Sequence, residues 1–216
     1  MAFQIIIEVL TVLIGCCGMV LHSGWLTGKP RKDFFRYYTN LSNLLVVMFY
    51  LIRTVVRITG KYDGFFGKIV FSQIWFYSVT MSIFLTFGIY NFVLMPSFKK
   101  APPDSLEFKF AHSLSNYLVH YVVPLLCLLN WLIFADKEAL QYKWALIWTI
   151  IPWIYVIYST IRGLRGDRFE NTNSAYPYDF MDNGKYGWAK FIRNCLLVTV
   201  VFVAAGLFFI FIRKLF

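Results

Sequence analysis

Charge is scarce in this sequence. Only 15% of its 216 residues are Asp, Glu, Lys or Arg, against roughly a quarter in an average soluble domain, too few to coat a surface that faces water on all sides. Cysteine is sparse as well: Cys16, Cys17, Cys127 and Cys195 all fall inside apolar stretches, which excludes a disulfide framework carried on loops and disfavours a zinc site. No HExxH, GxSxG, P-loop or calcium-loop pattern occurs, so no metal and no cofactor is expected. The first residues lack the basic n-region and small-residue cleavage site of a secretory signal, and the first apolar run is therefore expected to stay as a membrane helix. There is no internal repeat, low-complexity tract or polar linker, so residues 1–216 are expected to form one domain.

Apolar residues make up 59% of the chain and aromatics 20%. Many Trp and Tyr flank the apolar runs, where amphipathic rings sit at headgroup depth. A helix needs about 20 apolar residues to cross the hydrocarbon, and a charge at its centre costs about 2.5–3.5 kcal/mol. Six runs meet that requirement, near 9–28, 37–53, 69–98, 110–135, 144–160 and 194–212, once flanking residues that snorkel are added. The expected fold is an all-α bundle of six transmembrane helices. The formal charge of +10 does not indicate nucleic acid, because the Lys and Arg are spread through short loops rather than gathered on one face. Basic loops instead orient helices and meet anionic lipids. Thirteen of the 21 Lys and Arg fall on the side of the loops after the first, third and fifth runs, which places those loops in the cytoplasm of a cell-membrane protein.

Polar residues inside a membrane are costly and so draw attention. His120 lies within the fourth run, four residues before Pro124, which has no N–H to offer the His120 carbonyl. Asn116 is one turn away on the same face. A histidine there either moves protons near neutral pH or is a neutral ring held by an interhelical hydrogen bond; the residues alone favour neither. In the second run Thr39 and Asn43 share a face. Thr hydroxyls in membrane helices usually bond back to their own backbone; a nucleophilic Thr39 requires a base, for which His120 is the best candidate. At 1.5 Å per residue, Thr39 lies about 7 Å below Phe34 and His120 about 12 Å below His112, a mismatch that helix tilt must absorb. Glu8 lies in the first run near the side where Arg53 and Arg57 end the second, and a structural ion pair is expected there.

Residues 34–45 (FFRYYTNLSNLL), 120–134 (HYVVPLLCLLNWLIF) and 176–182 (YPYDFMD) resemble, in that order, motifs of a family of bacterial six-pass membrane proteins, and the resemblance covers most of the chain. That family is distantly similar to the androgen-induced and androgen-dependent membrane hydrolases, which cleave fatty acid esters of hydroxy fatty acids. The resemblance implies Thr39 as nucleophile and His120 as its partner, with a lipid ester as substrate and membrane lipids as surroundings. This sequence has one residue fewer between the His and the following Pro than the animal enzymes. Asn43 and Asn116 are candidate oxyanion donors or supports, and Tyr176, Tyr178 and Asp179 are candidate loop contacts. The rival class is a non-enzymatic lipid-binding or transport protein. For topology, single cysteines at Ser105 and Asn173 should resist an impermeant thiol reagent in intact cells; ready labelling of both would reverse the orientation.

Overall fold

The computed structural model describes residues 2–169 and 174–216; Asn173 therefore lies outside the described residues. Six helices are long and apolar enough to cross a membrane: α1 (Ala2–His22), α2 (Tyr38–Thr59), α3 (Gln73–Leu94), α4 (Leu114–Phe134), α5 (Trp144–Leu164) and α6 (Trp188–Leu215). Among the described residues there is no strand, and the protein is an all-α, multi-pass membrane bundle. Helices are the solution that hydrocarbon allows a lone segment, since each backbone N–H and C=O finds its partner within the segment.

α3 is the most enclosed of the six and α6 the least. α3 sits between α2 and α4, while α1 packs along both α2 and α4. Two glycines set how closely α1 approaches. A Cβ at Gly15 would come within 2.6 Å of the Val47 side chain, and one at Gly18 within 3.0 Å of Leu118 and Val119. The end of α1 is thereby pressed against the middle of the polar stretch of α4.

The helix ends depart from the charge-free runs for identifiable reasons. α1 begins before Glu8, and α2 continues past Arg53 and Arg57, because these charges meet in the interior. Arg53 Nε and Arg57 Nη2 both donate to Glu8 Oε1 at 2.9 Å. Arg53 also donates to the Val70 carbonyl, and its guanidinium lies 4.6 Å and 4.4 Å from the Phe71 and Phe76 ring centres. α4 begins at Leu114, not at 110, because a short helix Leu106–Ala111 ends first and Ser113 caps the new start, its Oγ accepting from the Asn116 N–H at 3.3 Å.

Two membrane helices open into π-helical turns, Tyr90–Leu94 in α3 and Leu118–Val122 in α4. Each ends two residues before a proline, Pro96 and Pro124. Proline cannot donate to the carbonyl four residues back and its ring crowds that carbonyl. The widened turn answers by bonding one residue further: Met95 N–H to Tyr90 O and Val123 N–H to Leu118 O. Such turns concentrate at functional sites.

Glu8 is fully buried, so its replacement exposes the arginines to each other without an opposing charge. Glu8→Gln should destabilise the protein by about 3–5 kcal/mol, read as a lowered thermal midpoint in detergent or nanodiscs. A wild-type midpoint would show that the pair contributes nothing to stability.

Candidate functional site

The two π turns face one another. The Tyr90 ring, at the start of one, stacks on the His120 ring, at the centre of the other, with centroids 4.0 Å apart and planes 23° from parallel. His120 Nδ1 is 3.1 Å from the Asn116 carbonyl. A carbonyl only accepts, so in the neutral ring Nδ1 carries the hydrogen and Nε2 presents its lone pair. Thr39 Oγ1 lies 3.2 Å from that Nε2. By the same reasoning, the Thr39 hydroxyl donates and His120 accepts. This is the polarity a base needs toward a hydroxyl nucleophile, and the orienting bond on the far nitrogen is the third member of such a unit.

The depth mismatch expected from residue counting disappears because α4 starts further out than α2. His120 is six residues into α4, about 9 Å along its axis, whereas Thr39 is the second residue of α2. The His22 ring, at the end of α1, lies 6.3 Å from His120, so α4 projects beyond both neighbours by more than a turn. The Thr39 carbonyl accepts from Ser42 Oγ at 3.0 Å and Asn43 Nδ2 at 2.8 Å.

Asn43 ties the two helices together. Its amide also donates to the Val119 carbonyl at 3.2 Å. Asn116 donates to the Tyr90 hydroxyl and, at 2.9 Å, to the Ala111 carbonyl. Both amide groups are thus engaged, Asn43 on the Thr39 and Val119 carbonyls and Asn116 on Tyr90 and Ala111, and donation to an oxyanion would require one of these bonds to break. Tyr90 donates in turn to the Ala111 carbonyl at 3.1 Å. Tyr90 was not singled out by the sequence. Its signal is Pro96, which stands in the same relation to the Tyr90–Leu94 turn as Pro124 does to the turn holding His120.

Thr39 and His120 line a common cavity. Its other walls are mainly apolar and come from α3, α5 and α6, including Leu85, Ile89, Trp148, Trp153, Val198 and Phe202. Pro152, Trp153 and Val156 on α5, with Val198 and Thr199 on α6, are only half-buried. α5 breaks after its first turn at Trp148 and Thr149, where Pro152 cannot bond the Trp148 carbonyl. A second cavity shares Tyr38 and Tyr155 with the first but touches neither Thr39 nor His120.

The segment after α5 folds back over this end of the bundle. Arg162 Nη2 donates to the Ala175 carbonyl at 2.6 Å while its guanidinium covers Phe169 at 4.3 Å. Phe169 packs on Tyr37 with centroids 4.8 Å apart. Of the three loop residues expected near the site, one reaches it: Tyr178 lines the cavity and its hydroxyl interacts with Thr39. Burial pushes the Tyr178 phenol up to about 12, partly offset by that interaction. Tyr176 is buried and donates to Asn183 Oδ1 at 2.7 Å. Asp179 is exposed, 2.7 Å from Lys185 Nζ and 2.5 Å from the Tyr186 hydroxyl, and these two bonds hold its carboxyl below the usual carboxylate range. Glu8 and Arg53 meet at the opposite end of the bundle. Among the described residues, no group of three or more His, Cys, Asp or Glu is placed to hold a metal ion.

No protein-family model, curated protein or solved structure matches the chain.

Proposed function

We propose that the protein is an intramembrane hydrolase of lipid esters, with Thr39 as nucleophile and His120 as general base. The observation that carries this reading is the Thr39 Oγ1–His120 Nε2 hydrogen bond of 3.2 Å, with His120 Nδ1 fixed on the Asn116 carbonyl and the pair facing a mainly apolar cavity. The motif resemblance in residues 34–45, 120–134 and 176–182 supports the same assignment.

The chemistry is acyl transfer to oxygen. The ester enters sideways from the bilayer between α5 and α6, its acyl chain lying among Trp153, Val198 and Phe202. His120 Nε2 takes the Thr39 proton as Oγ1 bonds to the ester carbon, and the carbonyl electron pair moves onto oxygen. Collapse of that intermediate breaks the ester C–O bond, and His120 returns the proton to the departing alcohol. A water molecule, deprotonated by His120, then releases the fatty acid and restores Thr39. The membrane is the cell membrane, and the loops after α1, α3 and α5 face the cytoplasm, supported by their share of the 21 basic residues.

A panel of long-chain esters given to the purified protein in nanodiscs tests the assignment. Thr39→Ala and His120→Ala should each lower kcat by about 10³-fold or more, and the double variant should be scarcely worse than either single, because the two act as one unit. A folded Thr39→Ala variant that hydrolyses the best ester at the wild-type rate would make Thr39 structural. Binding of lipid without turnover by the wild type would favour a non-enzymatic lipid-binding protein.

A further inference from the structure

Release of an acyl group from Thr39 requires water, and hydrocarbon supplies none, so the site needs a polar approach to His120. The end of α1 and its connection to α2 place polar side chains there. Gly24 takes a left-handed conformation, φ 77°, in which a Cβ would run into the Lys29 carbonyl oxygen. The chain turns back at this point, and the Arg31 N–H donates to the Ser23 carbonyl at 2.9 Å. Arg31 thereby reaches His22, with Nη1 3.3 Å from His22 Nε2. The His22 ring stands edge-on to the His120 ring, with centroids 6.3 Å apart and planes 70° apart. Asp33 completes the group, its Oδ1 4.0 Å from Arg31 Nε.

These side chains have hydrogen-bonding capacity left over. Arginine only donates, so His22 Nε2 accepts and, in the neutral ring, Nδ1 carries the hydrogen. Among the described residues, His22 Nδ1, Arg31 Nε and Asp33 Oδ2 are buried and have no protein partner. His22 and Asp33 are 7% and 2% exposed, and the 4.0 Å separation of Arg31 from Asp33 is too long for a hydrogen bond. Buried polar groups are normally satisfied by protein or by ordered water, and a buried water makes about three such bonds. The His22 and Arg31 N–H groups beside the Asp33 oxygen match water, which both accepts and donates. An anion would be repelled by Asp33, and a cation by Arg31. The Arg31 side chain is 21% exposed, so the group runs from the surface inward to His120.

We propose that His22, Arg31 and Asp33 hold water at the end of α1 and deliver the molecule that releases the acyl group from Thr39. The assignment rests on the ester-hydrolase reading and names the water side of that site. His22 does not line the cavity that Thr39 and His120 share, so water moving along it reaches His120 without crossing the space assigned to the acyl chain. The group lies on the side that the long loop covers: the Arg31 guanidinium is 5.3 Å from the Tyr37 ring, on which Phe169 packs. In the step itself the water oxygen bonds to the acyl carbon as one water proton passes to His120 Nε2. The Thr39 Oγ1–carbon bond then breaks, and His120 returns that proton to Oγ1. His22, Arg31 and Asp33 are positioning residues and exchange no proton.

The test offers the acylated protein two acceptors that arrive by different routes: water, and a long-chain alcohol dissolved in the bilayer of the nanodisc. With a long-chain nitrophenyl ester as acyl donor, the products are the free acid and the transferred ester. In folded His22→Phe and Asp33→Leu the ratio of transferred ester to acid should rise about tenfold or more, the scale of one lost buried hydrogen bond. Asp33→Asn, which keeps an acceptor, should stay near the wild-type ratio. The initial burst of nitrophenol, which reports acylation, should be unchanged in all three variants. A wild-type ratio in both folded apolar variants would overturn the assignment, even if both products fell together, since that marks a structural role. Hydroxyl-radical footprinting reads the water itself: His22 should be oxidised in the wild type despite its burial and protected in Asp33→Leu. Absence of oxidation at His22 in the wild type would overturn the water site. Oxidation of His22 in a wild type that forms neither acid nor transferred ester would overturn the hydrolase reading and the delivery step with it.

Discussion

Hydrocarbon offers no partner to an unpaired polar group, and most of the polar architecture here follows from that constraint. A buried acid, Glu8, draws two arginines inward and permits α1 and α2 to carry charge within their spans. Pro96 and Pro124 withhold a backbone donor, and each helix responds with a π turn just before the proline. Those turns rotate Tyr90 and His120 into contact. Asn43 and Asn116 then bond the carbonyls that lie near the irregular backbone. The same interactions that keep the polar backbone paired also fix where the reactive groups stand.

The proposed chemistry depends on having Thr39 at the start of one helix and His120 deeper in another that projects further outward. Their side chains meet at one level, beneath the long loop and beside the cavity. Substrate and solvent would approach from different directions: a lipid ester through the half-buried edge between α5 and α6, water from the side covered by the loop. Catalysis in such a site relies on placement more than on flexibility. Thr39, His120 and the Asn116 carbonyl that orients it are all held on helix backbones, and a preorganised polar cluster in an apolar setting is effective at stabilising developing charge.

Much of this was legible in the sequence, and the rest was hidden for physical reasons. Charge-free runs located the six helices because membrane insertion penalises charge so heavily. They missed the ends of α1 and α2, since a run-based rule treats Glu8, Arg53 and Arg57 as boundaries and cannot know that they neutralise one another. His120 stood out through Pro124, whereas Tyr90 escaped notice although Pro96 marks its turn in the same way. That Thr39 and His120 stand level could not be found by counting residues, because the relative height of two helices is a tertiary property. Tyr176, Tyr178 and Asp179 looked equivalent on one short motif. Only the path of the loop separates them, placing Tyr178 on Thr39, Tyr176 against Asn183 and Asp179 in the open.

The central claim is that Thr39 is acylated through His120, and mapping a covalent adduct tests it most directly. Purified protein treated with a long-chain alkyl fluorophosphonate and digested should carry the added mass on the peptide containing Thr39, at that residue. The adduct should be absent from folded His120→Ala. An adduct on another residue, or ester turnover by the wild type with Thr39 left unmodified under complete inhibition, would contradict the account.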